Sequence, residues 1–467
     1  MEEKIIHKPH KGKEYSAVRR IGFSFLMVIL IGSILLAMPF STHQGATGTY
    51  LDHLFTATSA TCVTGLVTKV TCQEYNLIGQ IIIVVLIQIG GLGFLTLLSM
   101  MYVLLKKKLS FSSKLVMQEA LNKDSLKDLS QYIKRVIKYT TFFEVLGTIC
   151  LSFVFIPEFG IMKGFYYSIF HSISAFCNAG FDVLGDSSLC LYAHHFWINF
   201  VVCGLIIAGG LGFIVWIDLR TSLTKYKNFY KRFTLKRYLS SLSLHTKIVI
   251  IVTTVLILSG TVAIFLLEFN NKATIGHFPL GDKILASFFQ SVTLRTAGFA
   301  TVNIGALKDA TKLLMCLFMF IGGSPAGTAG GIKTVTFAIL ILYIRCLKRG
   351  EAQVHLMKKT ISDQIVKRSL TIAMVSLFIV IIGIFLLSIF ENQQFLDLMF
   401  EVFSAFATVG LTAGVTPLLS SIGKIVIIIL MYIGRIGPIT MVLIFAKKYN
   451  LKKGKDIHYV EERVLIG

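Results

Sequence analysis

The chain has 467 residues, of which 54% are hydrophobic and only 15% are charged, and its mean hydropathy is +0.74. This much apolar surface excludes a water-soluble globular protein of this length and is typical of a protein that crosses a membrane several times. The formal net charge of +22 does not indicate nucleic-acid binding, because the basic residues border apolar runs and lack interleaved aromatic residues.

Eight apolar runs are long enough to cross a bilayer, and we predict one membrane span from each. The first run has no small-residue cleavage site, so it is predicted to be a span rather than a signal peptide. Four shorter segments are predicted to enter the membrane from outside as half-helices. The spans cover about residues 21–40, 77–105, 136–156, 196–219, 246–267, 311–344, 369–390 and 422–446, and the short segments cover about 51–62, 164–176, 282–293 and 395–406.

The basic residues predict the orientation. Most of the 46 Lys and Arg lie in five alternate segments, and the positive-inside rule places these segments in the cytoplasm. Both termini of this multi-pass protein of the cell membrane are therefore predicted to be cytoplasmic. The predicted organisation is a tail (1–20), four repeats (21–105, 133–219, 244–344 and 365–446), three cytoplasmic linkers (106–132, 220–243 and 345–364) and a second tail (447–467).

A Gly-centred segment recurs once in each repeat, at spacings of 115, 118 and 112 residues. Irregular backbone at membrane depth is tolerated only where protein or a water path surrounds it, so the four segments are predicted to converge on one axis. The predicted fold is an all-α polytopic membrane protein with four tandem helix, pore-loop, helix repeats in pseudo-fourfold symmetry around one pore per chain. Small-residue turns that merely let helices pack are the alternative.

The backbone of these segments is predicted to form a cation-selective filter. Glycine adopts positive φ without steric cost, so carbonyl groups can turn toward the path and replace the water around a K⁺ ion. Half-helices that point their C-terminal ends inward would add partial negative charge. The predicted filter residues are Cys62, Val63, Thr64 and Gly65; Cys177, Asn178, Ala179 and Gly180; Arg295, Thr296, Ala297 and Gly298; and Ala407, Thr408, Val409 and Gly410.

Some side chains near the filter are predicted to be structural. A serine stands six residues before three of the glycines, at Ser59, Ser174 and Ser404, where a capping or packing role is expected. The Arg295 side chain would repel a cation in the path, so it is expected to point away and to contact carbonyl or carboxylate groups.

A second glycine-rich pattern follows each filter segment on the cytoplasmic side. Its central positions are Gly91, Gly210, Gly323 and Arg435, which lie 26, 30, 25 and 25 residues after the filter glycines and are predicted to ring one level below the filter. A cation at this depth nearly always faces a protein interior or a water path. Arg435 is therefore predicted to form an electrostatic barrier or to pair with an acceptor, with purely structural bonding to helix carbonyls as the alternative.

The third repeat is interrupted at the same level by several glycines and one proline, which cannot continue a regular helix. A flexible loop below the filter would obstruct conduction, so this segment is predicted to be a gate, with a rigid helix kink as the alternative. With Arg435, the predicted gate residues are Gly322, Gly323, Ser324, Pro325, Ala326, Gly327, Thr328, Ala329, Gly330, Gly331 and Lys333.

These segments together resemble the Trk/Ktr/HKT superfamily of potassium transporters. The similarity covers about residues 20–446, and it lies in Val63-Thr-Gly-Leu66, Asn178-Ala-Gly-Phe181, Arg295-Thr-Ala-Gly-Phe299, Thr408-Val-Gly-Leu411 and the segment 322–333. Eight spans without an extra N-terminal pair resemble the bacterial Ktr-type membrane subunit. Gly65, where sodium-carrying plant relatives have Ser, fits K⁺ selectivity, whereas Ala326 departs from the Gly that relatives often have.

The resemblance implies K⁺ uptake, commonly Na⁺-dependent, by a homodimer with one pore in each subunit. It also implies a separate cytosolic ring of RCK-type nucleotide-binding subunits as regulator, and it assigns the 322–331 loop and Arg435 to the gate. Membrane lipid is the other predicted partner. No covalent cofactor is expected, with K⁺ as the transported ion and Na⁺ as an activator or coupling ion.

Other classes of function receive little support from the sequence. No nucleophile with a base and no metal cluster is apparent, so no enzyme is predicted. The eight Cys are expected to be mostly buried thiols, although Cys72 and Cys190 are predicted outside and could pair. His194 and His195 are interpreted as an interfacial pair at a helix start. An ungated or poorly selective Na⁺/K⁺ channel and a coupled symporter stay open, although a symporter is expected to show inverted repeats.

Overall fold

The computed structural model of the protein describes residues 11–93, 129–229, 234–357 and 359–437. Within these ranges the chain is almost entirely helical, and the only sheet is a short antiparallel pair of strands, β1 (His355–Leu356) and β2 (Lys359–Thr360). The predicted linker 106–132 lies mostly outside the described residues, as do the C-terminal tail and the far ends of the spans predicted at 77–105 and 422–446.

The helices follow the predicted order of the repeats. The first repeat contains α1 (Lys11–Ala37), α2 (Tyr50–Cys62), α3 (Thr71–Glu74) and α4 (Leu77–Leu92). The second contains α5 (Leu129–Phe159), α6 (Ile161–Cys177), α7 (Phe196–Gly210) and α8 (Phe213–Phe229), and α9 (Leu235–Ser241) follows it. The third contains α10 (Leu244–Glu268), α11 (Leu280–Thr293), α12 (Asp309–Phe320) and α13 (Thr334–Lys348). The fourth contains α14 (Asp363–Phe390), α15 (Phe395–Ala407) and α16 (Ser421–Ile436).

Four short helices, α2, α6, α11 and α15, lie where the sequence predicts half-helices. Helix α2 shows why such a segment starts where it does. The Thr49 hydroxyl and backbone N–H both donate to the Asp52 carboxylate, at 2.8 and 2.9 Å, which satisfies the first turn of the helix. In each repeat the short helix packs against the long helix that precedes it.

The long helices carry the membrane-spanning surface. Three unbroken helices in the described part of the chain have the length and composition of a span: 131–159, 244–268 and 363–390. On α5 a stripe that includes Val145 and Ile149 is exposed, whereas Leu151 and Phe155 on the opposite stripe are fully buried. An exposed apolar stripe of this kind matches a lipid-facing helix, because in water it would be an unprotected hydrophobic patch.

Two of the spans predicted to be continuous, in the second and third repeats, are broken in the structure. Helices α7 and α8 meet at an angle of 89°, so the span predicted at 196–219 is broken. Gly212 at this bend has a φ of 88°, a left-handed conformation that ends helix α7. The span predicted at 311–344 is likewise divided into α12 and α13. Helices also extend into predicted cytoplasmic regions, since α1 begins at Lys11 and α8 continues to Phe229.

Candidate functional site

The four Gly-centred segments meet in a closed ring at the C-terminal ends of the short helices. At each filter glycine, a Cβ atom would overlap the carbonyl oxygen of the residue that precedes the next glycine around the ring. These pairs are Gly65 with Ala179, Gly180 with Ala297 and Gly298 with Val409, each at 2.6 Å, and Gly410 with Thr64, which is closer still. The predicted filter residues are therefore brought together, and no side chain fits at the four glycines.

Along each filter segment, the backbone φ angle alternates between positive and negative values. The residue two before each glycine adopts positive φ although none of these residues is glycine: Val63 (57°), Asn178 (60°), Thr296 (68°) and Thr408 (52°). The next residue has negative φ, and the glycine has positive φ again. Such alternation directs N–H groups to one side of the chain and carbonyl groups to the other. Left-handed backbone costs about 1–3 kcal/mol at each non-glycine residue, so the surrounding protein must hold it.

The N–H side of each filter segment is bonded to its own short helix. In the first repeat, Thr64 N donates to Ser59 O at 2.8 Å and Gly65 N donates to Ser59 Oγ at 3.0 Å. In the fourth repeat, Val409 N and Gly410 N make the same bonds to Ser404, at 2.8 and 3.1 Å. The predicted capping role of these serines is confirmed, and the carbonyl groups are left to face the axis.

The second and third repeats hold the segment with a different bond. Ser174 Oγ donates to Phe181 O at 2.7 Å, and Thr293 Oγ1 donates to Phe299 O at 2.7 Å. Thr293 stands five residues before Gly298 rather than six, so an alignment on the glycines alone does not identify it. The anchoring function is thus present in all four repeats although the residue and its position vary.

The carbonyl side of the ring has unused acceptors. Within the described part of the chain, no donor bonds to the carbonyl oxygens that precede the four glycines, those of Thr64, Ala179, Ala297 and Val409. The C-terminal ends of α2, α6, α11 and α15 point their partial negative charge toward the same place. Free carbonyl oxygens at the focus of four helix dipoles are suited to a dehydrated cation and unsuited to an anion.

Arg295 differs from its expectation. Arg295 is buried, with 6% exposed, and among the described residues its Nε and Nη2 atoms have no hydrogen-bond partner. The expected contacts to carbonyl or carboxylate groups are therefore not made by these two atoms. Helix α11 ends at Thr293, two residues earlier relative to its filter glycine than the other three short helices, and its C-cap Leu294 lacks their left-handed conformation.

The second glycine pattern packs directly against the filter helices. A Cβ atom at Gly90, Gly209 or Gly434 would overlap the carbonyl oxygen four residues before the filter glycine of the same repeat, at Thr61, Phe176 and Phe406 respectively. These glycines therefore allow close approach of two helices. At the fourth position of the pattern, Gly93, Gly212 and Gly437 have φ values of 78°, 88° and 98°, and the helices end at or just before these residues.

The loop between α12 and α13 lies beneath the ring and pairs with the bend of the second repeat. Ser324 N donates to Gly210 O at 3.0 Å, and Phe213 N donates to Ala326 O at 3.0 Å. Ala326 itself has a φ of 57°, a conformation that favours glycine. The predicted gate segment is thus irregular, as expected, and hydrogen-bonded to a neighbouring repeat.

The loop also reaches the lower end of the filter. Thr328 Oγ1 donates to Phe176 O at 3.2 Å in the second repeat. A Cβ atom at Gly330 would overlap Thr408 Oγ1 in the fourth repeat. Lys333 folds back and donates to Ala329 O at 2.7 Å. The loop therefore fills the space under two filter segments.

Arg435 links this loop to helix α4 of the first repeat through hydrogen bonds. Its Nη1 donates to Thr328 O, and its Nη2 donates to Gly90 O and, at 3.4 Å, to Gly91 O. The guanidinium is therefore paired with acceptors, which are carbonyl groups of helix α4 and of the loop. One side chain joins three repeats at the level where the other repeats have glycine.

An outer ring of ion pairs, which the sequence reasoning missed, links neighbouring repeats. A basic residue fourteen positions after the filter glycine pairs with an acidic residue in the first turn of the next short helix. The pairs are Lys424 with Asp52 at 2.6 Å, His194 with Asp282 at 2.6 Å and Lys312 with Asp397 at 2.7 Å. Between the first and second repeats the two positions hold Gly79 and Lys163, and Tyr166 OH donates to Gln80 Oε1 at 2.9 Å instead.

The remaining Cys and His residues have local roles. Cys72 and Cys190 are both free thiols, so the open possibility of a disulfide is not realised. His195 caps α7 by accepting from Ile198 N at 3.4 Å, which fits the predicted helix start. No group of three or more His, Cys, Asp and Glu that would suit a metal ion occurs in the described ranges.

Comparison with known proteins agrees with this arrangement. Residues 18–455 match the family model described as TrkH, cation transport protein. The chain is 40% identical to the potassium/sodium uptake protein NtpJ of Enterococcus hirae, over 99% of this chain and all of that protein. It is 38% identical to the Ktr system potassium uptake protein B of Bacillus subtilis, over 96% of each chain.

A solved structure shows the same fold. The potassium transporter TrkH from Vibrio parahaemolyticus superposes with a TM-score of 0.71 over 96% of this chain and 87% of that chain, at 17% sequence identity. The family match spans nearly the whole sequence, and the relatives match at full length. The protein therefore belongs to the TrkH family of cation transport proteins and is a transporter, not an enzyme.

Proposed function

We propose that the protein takes up K⁺ across the cytoplasmic membrane through the ring of filter carbonyls. The observation that carries this proposal is the set of four carbonyl oxygens before Gly65, Gly180, Gly298 and Gly410, which lie together in the ring and have no donor among the described residues. The backbone N–H groups of the same four residues donate to carbonyl groups of their own short helices, so the carbonyl groups of these residues stay directed to the path. Relatives named for potassium and for potassium/sodium uptake support the choice of ion.

The discrimination between K⁺ and Na⁺ is proposed to be moderate. Each repeat contributes one short glycine segment rather than the longer TVGYG run of a K⁺ channel, so fewer carbonyl rings replace the hydration shell of the ion. Na⁺ is proposed as an activating or coupling ion. A poorly selective Na⁺/K⁺ channel is the second candidate, because one relative is named for both ions.

The loop at 321–333 with Arg435 is proposed as the gate. Three contacts support this role: the loop lies under the second and fourth filter segments, Arg435 donates to Thr328 O, and the same side chain is held by Gly90 O. We call the bonds of Arg435 to Thr328 O and Gly90 O the latch, and we propose that conduction requires them to break. Release of Arg435 would give a second, unlatched arrangement of the loop, which a regulator could favour.

The proposed assembly is a homodimer with one pore in each subunit and a separate cytosolic ring of RCK-type nucleotide-binding subunits. The basic cytoplasmic linkers and the C-terminal tail are the proposed docking segments, because they carry most of the Lys and Arg. A regulator that binds there would act on the gate through α13, which leads directly from the loop to the cytoplasmic side.

Flux of Rb⁺ into proteoliposomes tests the proposed function. The purified protein is expected to admit Rb⁺ faster than Na⁺, and Rb⁺ uptake is expected to rise when Na⁺ is present. Uptake that follows an imposed Na⁺ gradient even against the Rb⁺ gradient would identify a coupled symporter instead of a pore. Equal entry of both ions would identify the poorly selective channel, and no entry through either the parent or the Arg435→Ala variant in folded, oriented preparations would reject the proposal.

A further inference from the structure

A carboxyl group lies within the membrane-spanning helix α5, behind the second filter segment. Glu144 lies on the inward stripe of the helix with Leu151 and Phe155, whereas Val145 and Ile149 on the other stripe are exposed. An ionisable side chain inside a membrane span is costly and nearly always has a functional partner. Neither the filter nor the gate described above uses this residue.

The first helices of the other repeats have no acid at this depth. Their acidic residues stand within four residues of a helix end, at Glu14 in α1, Glu268 in α10 and Asp363 in α14. Glu144, by contrast, lies in the middle of α5. Its role is therefore specific to the second repeat rather than part of the repeated design.

Glu144 ends a chain of hydrogen bonds that starts at the filter. The Cys177 thiol donates to Gln88 Oε1 at 3.4 Å, and Gln88 Nε2 donates to Glu144 Oε1 at 2.9 Å. Cys177 is fully buried and directly precedes Asn178, whose backbone is in the left-handed conformation. Because both ends of the Gln88 amide are engaged, Glu144 fixes the orientation in which Gln88 meets Cys177.

The backbone of Glu144 is held against the filter helix α6. The backbone carbonyl of Glu144 accepts from Ser172 Oγ in α6 at 2.7 Å and from Thr148 Oγ1 at 2.8 Å. A Cβ atom at Gly147 would overlap Ser172 Oγ, so α5 and α6 are in close contact at this point. The backbone of Glu144 is thus fixed to α6, and its carboxylate is fixed to Gln88. A shift of either partner would therefore move the other.

The same contacts border the proposed gate. A Cβ atom at Gly91, three residues after Gln88 in α4, would lie 2.7 Å from Cys177 Sγ, so this turn and the thiol have no free space between them. Arg435 donates to the carbonyl groups of Gly90 and Gly91 in the same turn. Gln88 therefore stands one helical turn from the latch and in direct contact with the filter.

We propose that Glu144 is a positioning residue for ion discrimination, which acts through Gln88 and Cys177 to hold the carbonyl groups of the second filter segment at the spacing that fits K⁺. This inference rests on the proposed function of the filter. The hydrogen bond, not the charge, is the active feature, because Gln88 Nε2 needs only an acceptor at this place. A neutral carboxamide at this position is therefore expected to be tolerated, because it keeps the acceptor and avoids the cost of a charge at membrane depth.

The test compares Glu144→Gln, which keeps the acceptor, with Glu144→Leu, which removes it at similar volume. Proteoliposome Rb⁺ and Na⁺ fluxes are measured separately, and their ratio is the readout. Glu144→Gln is expected to keep the parent ratio within about twofold, whereas Glu144→Leu and Gln88→Leu each lower it by about fivefold, as expected for loss of one buried hydrogen bond. The double Leu variant is expected to lower the ratio no further, because both changes break one chain. Ile149→Leu on the exposed stripe is the control.

The outcomes separate this inference from the proposed function. A parent protein with no preference for Rb⁺ rejects the proposed function. A selective parent whose folded Leu variants keep the full ratio overturns only this inference, and loss of the ratio in Glu144→Gln overturns the hydrogen-bond role in favour of the charge. If the Leu variants fail to fold, Cys177→Ala removes the thiol donor and leaves the bond between Gln88 and Glu144 intact. A lowered ratio in that variant supports the chain, and an unchanged ratio overturns it.

Discussion

The ion pair between Lys424 and Asp52 is predicted to hold the first and fourth repeats together. The two residues are 372 positions apart, and their side chains are 16% and 4% exposed. Replacing Asp52 with Asn leaves the half-buried Lys424 ammonium without its counter-ion, which costs up to about 3 kcal/mol. By comparison, the exposed pair between Arg349 and Glu351, at 3.8 Å, is worth less than about 1 kcal/mol.

Thermal unfolding in detergent measures this difference. Asp52→Asn and Lys424→Met are each expected to lower the Tm markedly, whereas Glu351→Gln changes it little. The double variant of Asp52 and Lys424 is expected to be more stable than either single variant, because neither charge remains buried without a partner. If the double variant loses the sum of the two single effects, the residues are not coupled and the reasoning is refuted.

Three further predictions concern the axis. Gly65→Ser is expected to lower the ratio of Rb⁺ to Na⁺ flux, because a Cβ atom there would lie 2.6 Å from Ala179 O, whereas Gly45→Ser, with similar φ but nothing within 4 Å, should leave the ratio unchanged. Arg435→Ala, or a shortened 322–331 loop, is expected to raise Rb⁺ flux severalfold, and parent-like flux in both folded variants would contradict the gate. Gly434→Ala is expected to prevent stable folding because its Cβ atom would overlap Phe406 O, whereas Gly204→Ala in α7, with open space around it, should give a normal yield and elution profile.

The sequence predicted the parts of the fold that repeat. Four glycines at nearly equal spacing, each between apolar runs, are enough to identify the short helices within three residues of their observed bounds. Repetition also identified the second glycine-rich pattern, because four copies at similar distances from the filter glycines do not arise from unrelated turns. The Ser59 and Ser404 bonds followed from the same alignment.

The features that were not predicted depend on contacts across the ring. Left-handed backbone at Val63 or Thr408 contradicts local preference, since a β-branched residue rarely adopts it, and only the packed surroundings hold it there. The outer ion pairs had a detectable signal in the basic residue fourteen positions after three of the four glycines. The 89° bend between α7 and α8 was hidden because both halves are apolar, so hydropathy alone reads them as one span.

A single arginine at the level of Gly91, Gly210 and Gly323 is a consequence of the narrow axis. Four guanidinium groups at one level would stand within a few ångström of one another and repel strongly in a low-dielectric interior. One guanidinium can be satisfied completely by carbonyl groups, and Arg435 finds them at Thr328 in the loop and at Gly90 and Gly91 in α4. If the position held glycine in every repeat, Thr328 O would have no donor among the described residues, and Gly90 O would keep only its bond from Gly93 N at 3.2 Å. For the proposed latch, one arginine among the four equivalent positions is therefore sufficient, and the loop that it contacts comes from the third repeat, where α12 and α13 are separate helices.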